Sequence, residues 1–230
     1  INNSIACRIR RRPVEQGPRF PSRNRGGSGK WTTGTKNATK NATQTYILDR
    51  GENIFIGTWN VRTLNQTGAL KLLLHQLNSY TWDVVGLSET HWNGKGEMTT
   101  SDGYHILQSS REDGEHRDGV AMILTKHASR ALILFEPVPH RLLKAKFRTR
   151  FGALTVIQAY APTSAALDAE IDAFYYSLEE ALSTVSRQDI LILMGDMNAK
   201  VGSDWESWSG CLGKFGFGKE NERGERLLDF

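Results

Sequence analysis

Cysteine is nearly absent from this 230-residue chain, with only Cys7 and Cys211 present. Two distant thiols exclude a disulfide framework and a cysteine-rich zinc site, and they suit a reducing compartment. Long apolar runs are missing too. The longest, such as residues 70–74 and 190–194, fall far short of the roughly 20 residues that cross a bilayer. A soluble protein with no membrane partner is therefore expected. No basic region, apolar stretch and small-residue cleavage site stand together near Ile1, so the chain is expected not to be secreted and to be a fragment. Also lacking are H-E-x-x-H, G-x-S-x-G, a dinucleotide fingerprint and any internal repeat. Gly213 to Lys219 spells G-x-x-x-x-G-K. A phosphate-binding loop would need Ser or Thr next, to ligate magnesium, and Glu220 stands there, with no buried strand before the motif.

Charge is present in both signs but unevenly placed. Residues 1–50 carry 11 basic and 2 acidic side chains, a net +9, whereas residues 51–230 carry 18 against 23, a net −5. The first stretch, from Arg8-Ile-Arg-Arg-Arg12 onward, is rich in Gly, Ser, Thr, Asn and Pro without apolar periodicity, and is expected to be a disordered basic tail or linker. An arginine cluster of this kind serves as a nuclear address, a phosphate-binding arm or simply a solvated linker. Two glycosylation sequons at Asn37 and Asn41 are set aside as products of a Thr/Asn-rich composition.

From residue 53 the texture changes to short β-rich runs at 54–58, 84–87, 104–107, 120–124, 132–135, 154–160 and 190–194. Two helical patterns interrupt them. Residues 68–80 place Leu70, Leu73, Leu74 and Leu77 on one face. Residues 165–185 do the same with Leu167, Ile171, Phe174, Tyr175, Leu178 and Leu182. Strands in succession with helices between some of them predict packed sheets with helices on their outer faces, an α/β sandwich over residues 51–230.

Four strand ends carry the chemistry. A polar residue closing an apolar strand is held rigidly at the rim of a sheet, where a substrate can reach it. Asn60 ends Gly57-Thr-Trp-Asn-Val-Arg62, Glu89 follows Val84-Val-Gly-Leu-Ser88, Tyr160 closes Val156-Ile-Gln-Ala-Tyr160, and Ile190-Leu-Ile-Leu-Met-Gly195 breaks into Asp196-Met-Asn198. A turn asparagine, a surface glutamate and a packing tyrosine would each look the same alone. Taken together, one Glu, one Asp, two Asn and one Tyr suit metal-assisted attack on a phosphodiester. They provide hard oxygen ligands and hydrogen-bond donors but no covalent nucleophile.

These motifs, with Gly86-Leu-Ser-Glu-Thr-His91, Tyr160-Ala-Pro162, Gly195-Asp-Met-Asn-Ala-Lys-Val-Gly202 and the segment from Gly213 to Phe230, resemble in wording and order the endonuclease/exonuclease/phosphatase superfamily. They are most similar to the apurinic/apyrimidinic-type endonuclease domain of non-LTR retrotransposons and to craniofacial development protein 2-like sequences. The resemblance implies a four-layer α/β sandwich that hydrolyses DNA phosphodiesters with Mg²⁺ or Mn²⁺. Glu89 would ligate the metal with support from Asn60, and Tyr160 would contact the scissile phosphate. Asp196 would orient or deprotonate the attacking water or assist the leaving group, and Asn198 would stabilise the pentacoordinate phosphate. Arg62 and Asn221 would bind substrate. Arg62 stands where base-excision members often carry an acid, so a strict abasic-site preference does not follow.

The family also places a further acidic strand end and an Asp-His pair later in the chain. The sequence ends at Phe230 before either, so the resemblance implies a domain incomplete at its C-terminus and impaired in catalysis. Its parent element would carry a reverse-transcriptase domain, and the domain itself would be monomeric and nuclear. Two further readings stay open: a non-catalytic nucleic-acid or chromatin-binding relic, and a phosphatase of the same superfamily.

Overall fold

The computed structural model describes residues 7–8, 46–48, 53–138 and 140–230. The expected basic tail therefore lies almost wholly outside the described residues. In chain order the elements are β1 (Cys7–Arg8), β2 (Phe55–Asn60), α1 (Ala69–Leu77), β3 (Val84–Ser88), β4 (Lys95–Thr99), β5 (His105–Ser109), β6 (Val120–Leu124), α2 (Lys126–Ala131), β7 (Leu132–Pro137), β8 (Leu142–Thr149), β9 (Gly152–Tyr160), α3 (Asp168–Ser183), β10 (Ile190–Asp196) and α4 (Glu222–Asp229).

Alternation along the central strands dictates two packed sheets. Val84 and Val85 are both buried because successive side chains enter opposite cores. Val84 joins Met122, Leu124, Leu143, Phe147, Leu154 and Val156 between the sheets. Val85 joins Leu87, Ile106 and Ile123 under Leu73, Leu74 and Leu77 of α1. The far face of the second sheet, with Leu142, Ile157 and Ala159, is covered by Ile171, Phe174, Tyr175 and Leu178 of α3. The order of layers is helix, sheet, sheet, helix, as the sequence led us to expect.

Both sheets are mixed, with strand orders β1-β2-β3-β6-β5-β4 and β10-β9-β8-β7. The parallel pairs β2/β3 and β9/β10 are the ones joined by α1 and α3, since a parallel neighbour can be reached only by a long crossover. One consequence decides function: Asn60, Tyr160 and Asp196 all close the C-terminal ends of these parallel strands, and Glu89 follows directly on β3.

Several elements differ from the sequence reading or add to it. β8 reads as a charged stretch because Lys144, Lys146 and Arg148 alternate with Leu143, Ala145 and Phe147. Lys144 is nevertheless buried, its ammonium paired with Glu136 at 2.7 Å and donating to Thr184 Oγ1 at 2.7 Å. β4 is largely exposed and polar, so it lacks a hydrophobic pattern and is recruited by pairing with β5. The short helices α2 and α4 have side-chain caps, Thr125 accepting from Ala128 N and Asn221 from Gly224 N. α3 begins at Asp168, leaving Leu167 as an exposed N-cap residue outside the apolar face. β10 is an edge strand that exposes Ile190, Leu191 and Leu193.

Candidate active site

Asn60 brings the two carboxylates together. Its Nδ2 donates to Glu89 Oε1 at 2.7 Å and to Asp196 Oδ2 at 2.8 Å, across 136 residues of sequence in the second case. Its Oδ1 accepts from the backbone N–H of Arg62 at 3.0 Å, which fixes the orientation of the amide, because only an oxygen can accept there. Tyr160 donates its hydroxyl to the same Glu89 Oε1 at 3.2 Å. Burial, with the Glu89 charge and this hydrogen bond, pushes the Tyr160 phenol up to about 12. The phenol therefore stays a donor across the physiological range. Glu89 Oε2 accepts no hydrogen bond, and neither Glu89 nor Asp196 has a cationic partner, among the described residues.

The backbone around the rim is unusual. Five non-glycine residues among those described have positive φ: Arg62 (59°), Glu89 (59°), His91 (56°), Asp118 (62°) and Asn198 (47°). Three of them are the sequence's own site candidates, and the other two exchange a backbone hydrogen bond, His91 N–H to Asp118 O at 2.9 Å. Left-handed backbone at non-glycine residues costs about 1–2 kcal/mol each and gathers where a fold over-determines a functional rim. Gly195, at φ 139°, is needed for a different reason. A Cβ there would lie 1.9 Å from the carbonyl oxygen of Ala159, so only glycine lets β10 pair with β9 one residue before Asp196.

The remaining sequence candidates take distinct places. Asn198 donates its backbone N–H to Asp196 Oδ1 at 3.0 Å and its Nδ2 to Ala161 O at 2.7 Å, so it aims Asp196 and ties it to the Tyr160 strand end. Arg62 is exposed beside Asn60, and its guanidinium forms no ion pair among the described residues. Asn221 caps α4 and also accepts from Lys200 N–H at 3.0 Å, clasping the segment between them. The Gly213 to Lys219 stretch lies in a turn-rich loop with no strand before it.

Arg141 was not legible in the sequence. Its Cζ sits 5.1 Å from the centre of the Tyr160 ring, and it pairs with Asp118 at 2.7 Å. Asp118 also takes Arg111 at 3.0 Å and lies 3.9 Å from His140. The β8/β9 register puts Arg141 beside Tyr160, the packing of the other sheet against it brings up Asp118 and Arg111, and no local spacing announces either. No histidine side chain hydrogen-bonds to Glu89, Asp196 or Tyr160 among the described residues, and none of those residues forms a cluster of three His, Cys, Asp or Glu side chains able to hold a metal.

The donor set still fits a hard divalent cation. Two carboxylates share one neutral amide donor, and Glu89 Oε2 lies outside any hydrogen bond among the described residues. Magnesium typically uses one or two protein carboxylates and keeps waters and substrate oxygens for the rest.

Comparison with known proteins agrees with the fold and the motif order. The family described as Endonuclease/Exonuclease/phosphatase family matches residues 57–219. Craniofacial development protein 2 from Tragulus javanicus is 37% identical over 179 residues, covering 78% of this chain and 30% of that protein. Exodeoxyribonuclease III from Haemophilus influenzae is 32% identical over 142 residues, covering 54% of this chain and 52% of that protein. The chain thus spans less than a third of the length of its craniofacial development protein 2 relatives. Among solved structures, the endonuclease domain of TRAS1, a telomere-specific non-LTR retrotransposon, superposes with a TM-score of 0.51 at 17% identity, covering 76% of this chain and 69% of that one.

Proposed function

Because this chain belongs to the endonuclease/exonuclease/phosphatase family, we propose that it is a divalent-metal-dependent phosphodiesterase that nicks DNA, in the manner of a retrotransposon endonuclease domain. The observation that carries the reading is the Asn60 bridge, which sets Glu89 and Asp196 side by side at the joined rim of both sheets without a positive partner among the described residues. Glu89, supported by Asn60, would hold the cation, Mg²⁺ or Mn²⁺. When bound, the ion neutralises the phosphate and polarises its P–O bonds.

The chain's own groups do the rest. Asp196, aimed by Asn60 and the Asn198 N–H, accepts a proton from the attacking water as its oxygen bonds to phosphorus. The P–O bond to the leaving sugar oxygen breaks, and that oxygen takes its proton from solvent, since no histidine side chain among the described residues hydrogen-bonds to Glu89, Asp196 or Tyr160. Arg62 donates to the non-bridging oxygens, whose negative charge grows in the transition state, and Tyr160 does so once its hydroxyl releases Glu89 Oε1. Asn198 joins them once its Nδ2 releases Ala161. Turnover without a positioned acid is expected to be slow, by several orders of magnitude relative to a site that has one.

DNA as substrate is supported by the similarity to a protein named as an exodeoxyribonuclease and by the net +9 of residues 1–50, which suits phosphate contacts. A nuclear location goes with it. The same +9 favours the second reading, a non-catalytic nucleic-acid-binding protein.

The test is conversion of supercoiled plasmid to nicked circles by the purified chain with Mg²⁺. Slow nicking that is abolished by chelation and lowered about 100-fold or more by Glu89→Gln or Asp196→Asn is expected. Tight, salt-sensitive DNA binding with no Mg²⁺-dependent nicking would overturn catalysis in favour of the second reading. Hydrolysis of a phosphoinositide but not of DNA would overturn the substrate.

A further inference from the structure

The segment that leaves the site after Asn198 returns to it at Asn221. Asn221 closes its base twice, with Oδ1 accepting from Lys200 N–H and its own N–H donating to Lys200 O at 3.0 Å. The loop between them is drawn in on itself. Gly216 lies so close to Gly202 that a Cβ would fall 2.0 Å from the Gly202 carbonyl oxygen, and Ser203 Oγ donates to Gly218 O at 3.5 Å. On either side of Gly216 stand Phe215 and Phe217, which are 99% and 97% exposed. Full exposure of two neighbouring phenylalanines is costly, since burying each would be worth about 1.5–3 kcal/mol. Lys214 and Lys219 flank them, and Lys214 Nζ is 4.6 Å from the centre of the Trp205 ring. The loop's acids Asp204 and Glu206 lie in its other half, and Glu220 stands at its return.

We infer that this Lys-Phe-Gly-Phe-Gly-Lys crest is a stacking contact for unpaired bases of the DNA strand flanking the phosphate at Glu89 and Asp196. The inference rests on the DNA reading above and deepens it by naming which feature of the DNA is recognised. Aromatic faces flanked by lysines suit single-stranded nucleic acid that is held without its sequence being read. Each face stacks on a base, and the ammonium groups at either end meet the flanking backbone phosphates. Duplex DNA offers no base face to such a platform, so the crest favours substrate that is locally unpaired or has an extruded base. The loop is rooted at the cleavage rim, because its base at Lys200 and Asn221 closes two residues beyond Asn198.

The test is fluorescence anisotropy with the whole chain and no divalent metal, so that binding is read without cleavage. Labelled probes are a blunt duplex and the same duplex with a short unpaired stretch containing 2-aminopurine. The wild type is expected to prefer the gapped probe and to quench its 2-aminopurine. Phe215→Ala/Phe217→Ala should weaken that binding about tenfold or more, as loss of base stacking does, and leave duplex affinity and the thermal unfolding midpoint unchanged. Phe215→Trp/Phe217→Trp should retain binding and quenching, whereas Phe215→Leu/Phe217→Leu should lose both.

Wild-type binding that is equal for both probes, or unchanged in the alanine variant, overturns the crest and leaves the DNA reading standing. Full retention by the leucine variant overturns stacking. No wild-type affinity for either probe overturns both readings. Phenylalanine-dependent binding to phosphatidylserine vesicles, with DNA binding indifferent to the same residues, overturns the crest in favour of a lipid surface.

Discussion

Gln158 of β9 donates to Ser88 Oγ of β3 at 2.9 Å, with both residues fully buried, and this bond ties the two sheets together directly beneath the carboxylates. Thr58 of β2 donates to Gln158 Oε1 at 3.2 Å, and Ser88 Oγ reaches Ala159 O at 3.4 Å. The network exists because Gly86 lacks a side chain. A Cβ there would lie 1.9 Å from Gln158 Oε1 and 2.7 Å from Met194 Cε. Gly86→Ala is therefore expected to lose about 1–3 kcal/mol of stability by overpacking, read by urea unfolding. Gln158→Ala in the same background should recover part of the loss.

Asn60 is neutral where an acid of the same shape would fit. Asn60→Asp replaces the donor that both carboxylates share by a third negative charge. Without divalent metal, the variant should be less stable by about 1.5–3 kcal/mol, the worth of hydrogen bonds to charged groups. Magnesium should then raise its unfolding midpoint by more than it raises the wild type's, because the added charge is offset only by the cation. Thermal unfolding with and without Mg²⁺ checks both parts, and an equal Mg²⁺ effect on the two proteins would count against a cation at Glu89.

The Tyr160 phenol gives a pH signature. Its folded value, raised to about 12 by burial and by Glu89, exceeds the ordinary 10.0. The stability it contributes is present below that ordinary value and is lost as pH rises through the folded one. In an absorbance titration, the difference between wild type and Tyr160→Phe should show one phenol ionising late. Glu89→Gln should move it downward but not to the ordinary value, since burial remains.

His140 behaves with the opposite sense of shift. Burial, then the charge of Arg111, holds its imidazole below the ordinary 6.5. The folded state thus keeps it neutral where the unfolded chain binds a proton. The corresponding stability is present above the ordinary value and is lost as pH falls through the lowered folded one. Lowering the pH from about 7.5 to about 5 should depress the wild type's unfolding midpoint more than that of His140→Gln. Equal depression would place His140 outside this linkage.

Much of the fold was legible in sequence because its strands are short, apolar and β-branched, and its two long helices are amphipathic. β8 escaped because Lys144 reads as surface, although its ammonium is satisfied by Glu136 and Thr184. β4 escaped because pairing with β5, not its own pattern, makes it a strand. Asn60, Glu89, Tyr160 and Asp196 could be picked out because each ends an apolar run at a turn.

The sequence by itself determined which residues are available for chemistry and that they close strands, since alternation and strand breaks are local properties of the chain. Their meeting was decided by tertiary structure alone. Two parallel strand pairs, each made by a helical crossover, end at one rim, where Asn60 spans 29 residues to Glu89 and 136 to Asp196. The left-handed backbone at Glu89 and Asn198, the Arg141 guanidinium against Tyr160 and the exposed Phe215 and Phe217 crest belong to the same class. Each depends on which distant segments are neighbours, and a hydrogen bond or ring contact between segments leaves no periodic mark in either one.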